Sequence, residues 1–101
     1  MKISILLPYK ENYSPSYAGA VSLFVNSVSR ESIYKKETTI YGSTTYKEKL
    51  SKNYINIPLS KEFLKSQSRD YVKKFINEQK IVKPNIIEVH NRPIYINSLV
   101  E

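Results

Sequence analysis

Residues 86–93 read IIEVHNRP. Ile86, Ile87 and Val89, with Glu88 among them, lead straight into His90, the only histidine of the chain, and then into Asn91, Arg92 and Pro93. Proline fixes φ and lacks an N–H, so it suits the first turn of a helix and ends a central strand. The stretch therefore reads as a strand, a polar tip and a new helix. What the tip can do depends on which strand lies beside it.

The rest of the chain supplies that neighbour. Pro84 opens the strand NIIEVH. At the other end of the sequence, KISILLP (Lys2 to Pro8) is a compact apolar run of buried-strand type. A polar loop, YKENYSPSYAG, follows, with Pro8 and Pro15 as breakers and Gly19 at its end. Val21, Phe24, Val25 and Val28 recur at i, i+3, i+4 and i+7, which predicts a helix from Gly19 to about Ser32 with this stripe on a sheet. TTIYG (Thr38 to Gly42) is a second strand, rich in β-branched residues. Residues 43–53 carry no clear period and read as an exposed connection.

YINIP (Tyr54 to Pro58) is the third short strand. Ser60 is a good N-cap, and Glu62 falls in the first turn, where the helix dipole favours an acid. Phe63, Leu64, Tyr71, Val72, Phe75 and Ile76 share one helical face, so a long helix is expected from Ser60 to about Lys80. A last helix opens at Pro93 and would bury Ile94, Ile96, Leu99 or Val100, with no stop signal before Glu101.

The order β, α, β, β, α, β, α with apolar strands predicts a Rossmann-like three-layer α/β domain. Its sheet should be mainly parallel, with about four strands. Right-handed crossovers place the first strand beside the fourth, with the second and third extending to one side. Connections leaving strands one and four then diverge to opposite faces, and such a switch point is where these sheets bind ligands. The segments meeting there are Tyr9 to Gly19 and His90 to Pro93. The histidine thus belongs at the mouth of a crevice.

Composition narrows the classes. At 101 residues the chain is one domain, with no cleft between two domains of its own. It has no cysteine, which excludes disulfides and thiolate metal sites, and a single histidine argues against a catalytic metal site. The N-terminal apolar run is too short for a signal peptide, and no run approaches the roughly 20 residues that span a bilayer. A cytoplasmic protein is expected. The net charge of +7 invites a nucleic-acid or membrane reading. A plainer source is the abundance of Lys, Ile, Asn and Tyr, all with A/T-rich codons. Only Arg30, Arg69 and Arg92 among sixteen basic residues are arginines, and no nucleic-acid-binding motif is present, so no nucleic-acid partner is expected.

ISILLPY at the N-terminus, AGA before the helix with VSLFV, and KPNIIEVHNRP together resemble the N-terminal Rossmann-like domain of two-domain glycosyltransferases of family 4, the group 1 glycosyl transferases. The likeness covers essentially the whole chain in element order, and IIEVHNRP is its most specific part. It implies retaining transfer of a sugar from a nucleotide-sugar donor to a sugar, lipid or other small acceptor, without a cofactor. It also implies that residues 1–101 are the acceptor-side domain, and that a C-terminal domain holding the donor is missing. This chain alone would then be inactive. Family members often carry two glycines followed by Ala and Glu in the first loop, whereas this chain has Ala18, Gly19, Ala20 and Val21.

On this resemblance Gly19 and Ala20 form the donor-phosphate loop, where free N–H groups favour an anion. His90, Asn91, Arg92, Tyr9 and Tyr17 are substrate-binding candidates. A neutral imidazole both donates and accepts, which suits it to orient a sugar hydroxyl. No carboxylate partner for it is evident, so it is not assigned as a general base. The plainer role of Asn91 is to cap the following helix, and Arg92 suits a phosphate or a solvated face equally. Tyr9, Tyr13 and Tyr17 offer rings to stack on sugar C–H faces. Lys61, Lys65, Arg69 and Lys73, spaced four apart, suit anionic headgroups at the inner face of a membrane; the plainer reading is a solvated face interleaved with Glu62, Asp70 and Glu78. Two other readings stay open. One is a stand-alone nucleotide or small-ligand binder without catalysis. The other, the weaker, is a basic nucleic-acid-binding domain, against which the low arginine count and the lack of a binding motif stand. Self-association through the uncovered edge of the fourth strand is also expected.

Overall fold

The computed structural model describes residues 1–58 and 67–90 of the chain. Four strands and two α-helices run in the order β1 (Ile3–Leu6), α1 (Ala20–Glu31), β2 (Thr38–Gly42), β3 (Tyr54–Asn56), α2 (Gln67–Val82) and β4 (Ile86–Val89), with one 3₁₀ turn at Lys35–Glu37 before β2. The expected last helix, and the expected start of the second helix at Ser60, lie outside the described residues.

The sheet is all parallel, in the order β3-β2-β1-β4. β1 is central, pairing Ile3 with Thr38 on one side and with Ile86 on the other. This is the Rossmann-like arrangement expected from the element order, with the first strand beside the fourth. One ladder bond continues beyond the strands, from the His90 N–H to the Leu6 carbonyl at 3.0 Å. At the other end Asn85 and Lys2 bond one another, Lys2 N–H to Asn85 Oδ1 at 2.8 Å and Asn85 N–H to the Lys2 carbonyl at 2.9 Å. β4 is therefore pinned to β1 at both ends.

Because successive strand residues point to opposite faces, the core splits in two. On the α2 face Leu6, Tyr41, Ile57, Tyr71, Val72 and Phe75 are buried together, with Tyr9, Ile76 and Val89 packed against them. On the α1 face the buried set is Ile5, Leu7, Tyr13, Val25 and Ile40, with Ile3, Val21, Leu50 and Tyr54 alongside. The Tyr41 and Phe75 rings meet edge to face, 5.1 Å apart, and tie β2 to α2. The Tyr71 hydroxyl donates to the Leu7 carbonyl at 2.6 Å, satisfying a backbone group just past the end of β1.

The helices end for local reasons. At the C-terminus of α2, Lys83 adopts the left-handed conformation, with φ 53°, and its N–H returns to the Gln79 carbonyl at 2.8 Å. Pro84 cannot continue a helix. The Lys2 ammonium donates to the Val82 carbonyl at 3.0 Å, placing a cation at the negative end of the dipole.

Two expectations need correction. Of the stripe Val21, Phe24, Val25 and Val28, α1 rests on the sheet through only Val21 and Val25. Its buried residues are Ser22, Val25 and Ser29, while Phe24 and Val28 are more than half exposed, at 60% and 54%. The serines are small enough to bring the helix close to the sheet, which rolls the bulkier pair onto the flank facing β4. Nor is the connection 43–53 simply exposed. Thr44 is buried, Leu50 packs on the α1-side core, and the Leu50 N–H bonds the Tyr13 carbonyl at 3.3 Å.

Candidate functional site

The strand order brings two polar groups to the C-terminal edge of the sheet, on either side of the point where connections diverge. The first is the start of α1. Gly19 is its N-cap, extended at φ −74° and ψ 161°, and has no side chain with which to cap; no acid occupies the first turn. The cap comes instead from the preceding loop, since the Ser22 N–H donates to Glu11 Oε2 at 3.0 Å. Gly19 makes room for it. A Cβ on Gly19 would fall 1.9 Å from Glu11 Oε2 and 2.6 Å from Oε1. The anion at the positive end of this helix dipole is thus the chain's own carboxylate. This is the place where the resemblance puts a donor phosphate, at Gly19 and Ala20.

The second group is His90 at the end of β4. Its Nε2 lies 2.8 Å from Glu88 Oε2. An ionised carboxylate only accepts, so Nε2–H donates and Nδ1 keeps the lone pair in the neutral ring. The expectation that His90 lacks a carboxylate partner is therefore corrected. Glu88 stands two residues earlier on the same strand, and residues i and i+2 share a face. That spacing was the available signal. Among the described residues Nδ1 has no hydrogen-bond partner, which leaves it to accept a proton or a hydroxyl hydrogen from a ligand.

The imidazole leans toward α1, meeting the Phe24 ring edge-on with centroids 6.4 Å apart. Together with Ile3, Ile5, Val28 and Glu88, these residues line a groove of about 240 Å³ between α1 and the β1–β4 pair. The Phe24 and Val28 side chains released from the sheet are its apolar wall. The groove offers a carboxylate-anchored imidazole beside an apolar face, which suits a ligand with hydroxyls on one side and C–H groups on the other.

The tyrosine candidates do not converge on His90. Tyr9 lies on the α2 side of the sheet, its ring tilted against Tyr71 at 5.9 Å. Tyr17 is 70% exposed and stands against Tyr46 at 5.5 Å. Tyr13 is fully buried and belongs to the core, stacked on Tyr54 with ring centroids 5.1 Å apart. Burial raises the Tyr13 phenol above its ordinary value, against smaller lowering effects of the Ser51 hydrogen bond and the Arg30 charge. Burial raises Tyr54 as well, further still.

Asn91 and Arg92 lie outside the described residues, as do Lys61 and Lys65 of the basic row. Among the described residues no group of three or more His, Cys, Asp or Glu side chains gathers where a metal could be held. No described helix is long and apolar enough to cross a membrane. No family model matches the chain, and neither a curated protein nor a solved structure gives a significant match to it.

Proposed function

We propose that the chain is the acceptor-side half of a retaining glycosyltransferase, which moves a sugar from a nucleotide-sugar to an acceptor. One observation carries this reading: the parallel pairing of β1 with β4, which sets His90 and the start of α1 at the same edge of the sheet, at its topological switch point. In this role Nε2–H stays on Glu88 while Nδ1 accepts a hydrogen bond from a sugar hydroxyl. The Phe24 and Val28 wall receives the sugar's apolar face. Glu11 supports the acceptor side in particular. A neutral, hydroxyl-rich acceptor can lie beside its carboxylate, whereas a diphosphate would have to displace it from Ser22.

The donor-holding half comes, on this reading, from a further domain. The donor is a substrate and no cofactor is required. A cytoplasmic location fits, at the inner face of a membrane where the acceptor is lipid-carried; Arg69 and Lys73 are the described half of the basic row that would face it.

The test is an NMR titration of isotope-labelled chain with a panel of nucleotide-sugars, free sugars and simple glycosides. The expected response is a shift of the His90 ring resonances and of amides from Ala20 to Phe24, lost in His90→Ala, with no sugar transfer by this chain alone. Transfer by the purified chain, or saturable sugar binding that leaves His90 unmoved, would overturn it.

A further inference from the structure

A second cavity, of about 420 Å³, opens at the opposite end of the sheet. It lies between the C-terminal half of α1, the 3₁₀ turn before β2 and the residues leading into β3. Four cationic side chains line it: Arg30 from α1, Lys35 and Lys36 from the turn, and Lys52 before β3. None of the four has an ion-pair partner among the described residues. Glu37, the acid next to Lys36, is instead paired with the Met1 ammonium. Like charges gathered round one concavity repel one another, and low-dielectric walls focus their field.

The floor is polar and already ordered. Asn26, Ser51 and Asn53 line the cavity, and the first two are fastened from below by the buried Tyr13. Tyr13 Oη lies 3.1 Å from the Asn26 side-chain amide and 2.7 Å from Ser51 Oγ. Ser51 donates to Asn53 Oδ1 at 2.5 Å, and Asn53 Nδ2 donates to the Thr38 carbonyl at 2.9 Å. The negative end of the α1 dipole weighs against an anion here. Arg30 in the last turn and the Ser32 N–H bonded to the Ser29 carbonyl at 3.2 Å both offset it.

We propose that this pocket binds a small ligand carrying two or more linked phosphate groups. Four cations exceed what a single carboxylate or phosphate would neutralise, and the volume falls within the roughly 300–1,000 Å³ of small-molecule sites. The flexible lysines supply point charges, while the anchored amides and hydroxyl supply fixed polar contacts. The concave shape favours a compact ligand over the extended backbone of a nucleic acid. The pocket shares only Ser29 with the His90 groove, and none of its four cations lines that groove, so it stands or falls independently of the proposed transfer.

The test titrates labelled full chain with inorganic tripolyphosphate. Amides of Ser29 to Lys36 and Ser51 to Asn53 should shift. Lys36→Glu and Lys52→Glu should each weaken binding about tenfold, as expected for loss of a charge-assisted contact with reversal of its sign. Lys80→Glu, with the same change in net charge on α2, should change it by less than about twofold. All three side chains are exposed, and unchanged thermal melting would verify intact folding. Vesicles with and without a phosphorylated-inositol lipid locate the source: vesicle binding lost in Lys36→Glu points to a headgroup, and tripolyphosphate binding alone to a soluble ligand. Either result supports the pocket. Equal losses in Lys36→Glu and Lys80→Glu, shifts gathered at Ala20 to Ser22, no binding at all, or binding only to oligonucleotides would overturn it.

Discussion

Replacing Glu11 by alanine isolates the most unusual contact of the molecule, a helix cap supplied from eleven residues away. The substitution removes the only side-chain acceptor at the start of α1 among the described residues, and a full negative charge near its positive dipole end. Loss of an N-cap costs about 0.5–2 kcal/mol. An exposed charge at a helix terminus contributes about 0.3–1 kcal/mol, partly the same energy. Together these give about 1–1.5 kcal/mol, or roughly a 5–10 °C fall in melting temperature for a domain of this size. Glu11→Gln keeps an acceptor and should lose only the smaller, salt-sensitive share.

Gly19→Ala supplies the decisive comparison. Its backbone angles suit alanine, so the main effect is the new Cβ, which falls 1.9 Å from Glu11 Oε2 and expels the carboxylate. Gly19→Ala should therefore cost about 1 kcal/mol in the wild-type background and less than about 0.5 kcal/mol once Glu11 is alanine. Urea unfolding followed by circular dichroism measures all four corners of this cycle. Strict additivity, or a Glu11→Ala protein as stable as wild type, would refute the account of this helix start.

Two further perturbations probe the core. Tyr71→Phe leaves the Leu7 carbonyl without its 2.6 Å partner in a buried site and should cost about 1–3 kcal/mol in urea unfolding, with the fold retained. Raising the pH should destabilise the protein through Tyr13 and Tyr54, whose phenols burial raises in the folded state. Because the folded values exceed the unfolded value of about 10, their contribution is fully present below pH 10 and is lost as pH rises beyond it. Tyr54→Phe should flatten that alkaline decline, measured as the urea midpoint against pH.

Much of this architecture is visible in local patterning. Short apolar runs closed by Pro or Gly mark all four strands, and the 3.6-residue period marks both helices. The right-handed crossover rule then leaves little freedom, which is why β1 beside β4 follows from the element order. The placement of His90 at a strand end follows from the same reasoning. So does its partner in principle, since Glu88 and His90 alternate onto one face of β4.

The errors have a common origin in contacts between distant parts of the chain. A stripe of Val21, Phe24, Val25 and Val28 specifies an amphipathic helix, but it does not say how that helix is rolled on the sheet. Close packing through Ser22 and Ser29 decided this, and only then did Phe24 and Val28 become the wall of a groove. Tyr13 sits in a polar loop and looks free to meet a ligand. Its burial depends on a ring from Tyr54 and on polar partners at Asn26 and Ser51, as many as 41 residues away.

Glu11 is the sharpest case. Nothing within the loop YKENYSPSYAG marks its carboxylate as the cap of a helix, because the signal for a cap is a short side chain immediately before the first turn, and Gly19 supplies none. Element type, order and strand pairing arise from short-range period and chain handedness, which one sequence displays. Helix roll, the burial of Tyr13, the self-supplied anion at α1 and the meeting of Arg30, Lys35, Lys36 and Lys52 arise from packing and electrostatics across the fold, and these exist only once the strands have assembled.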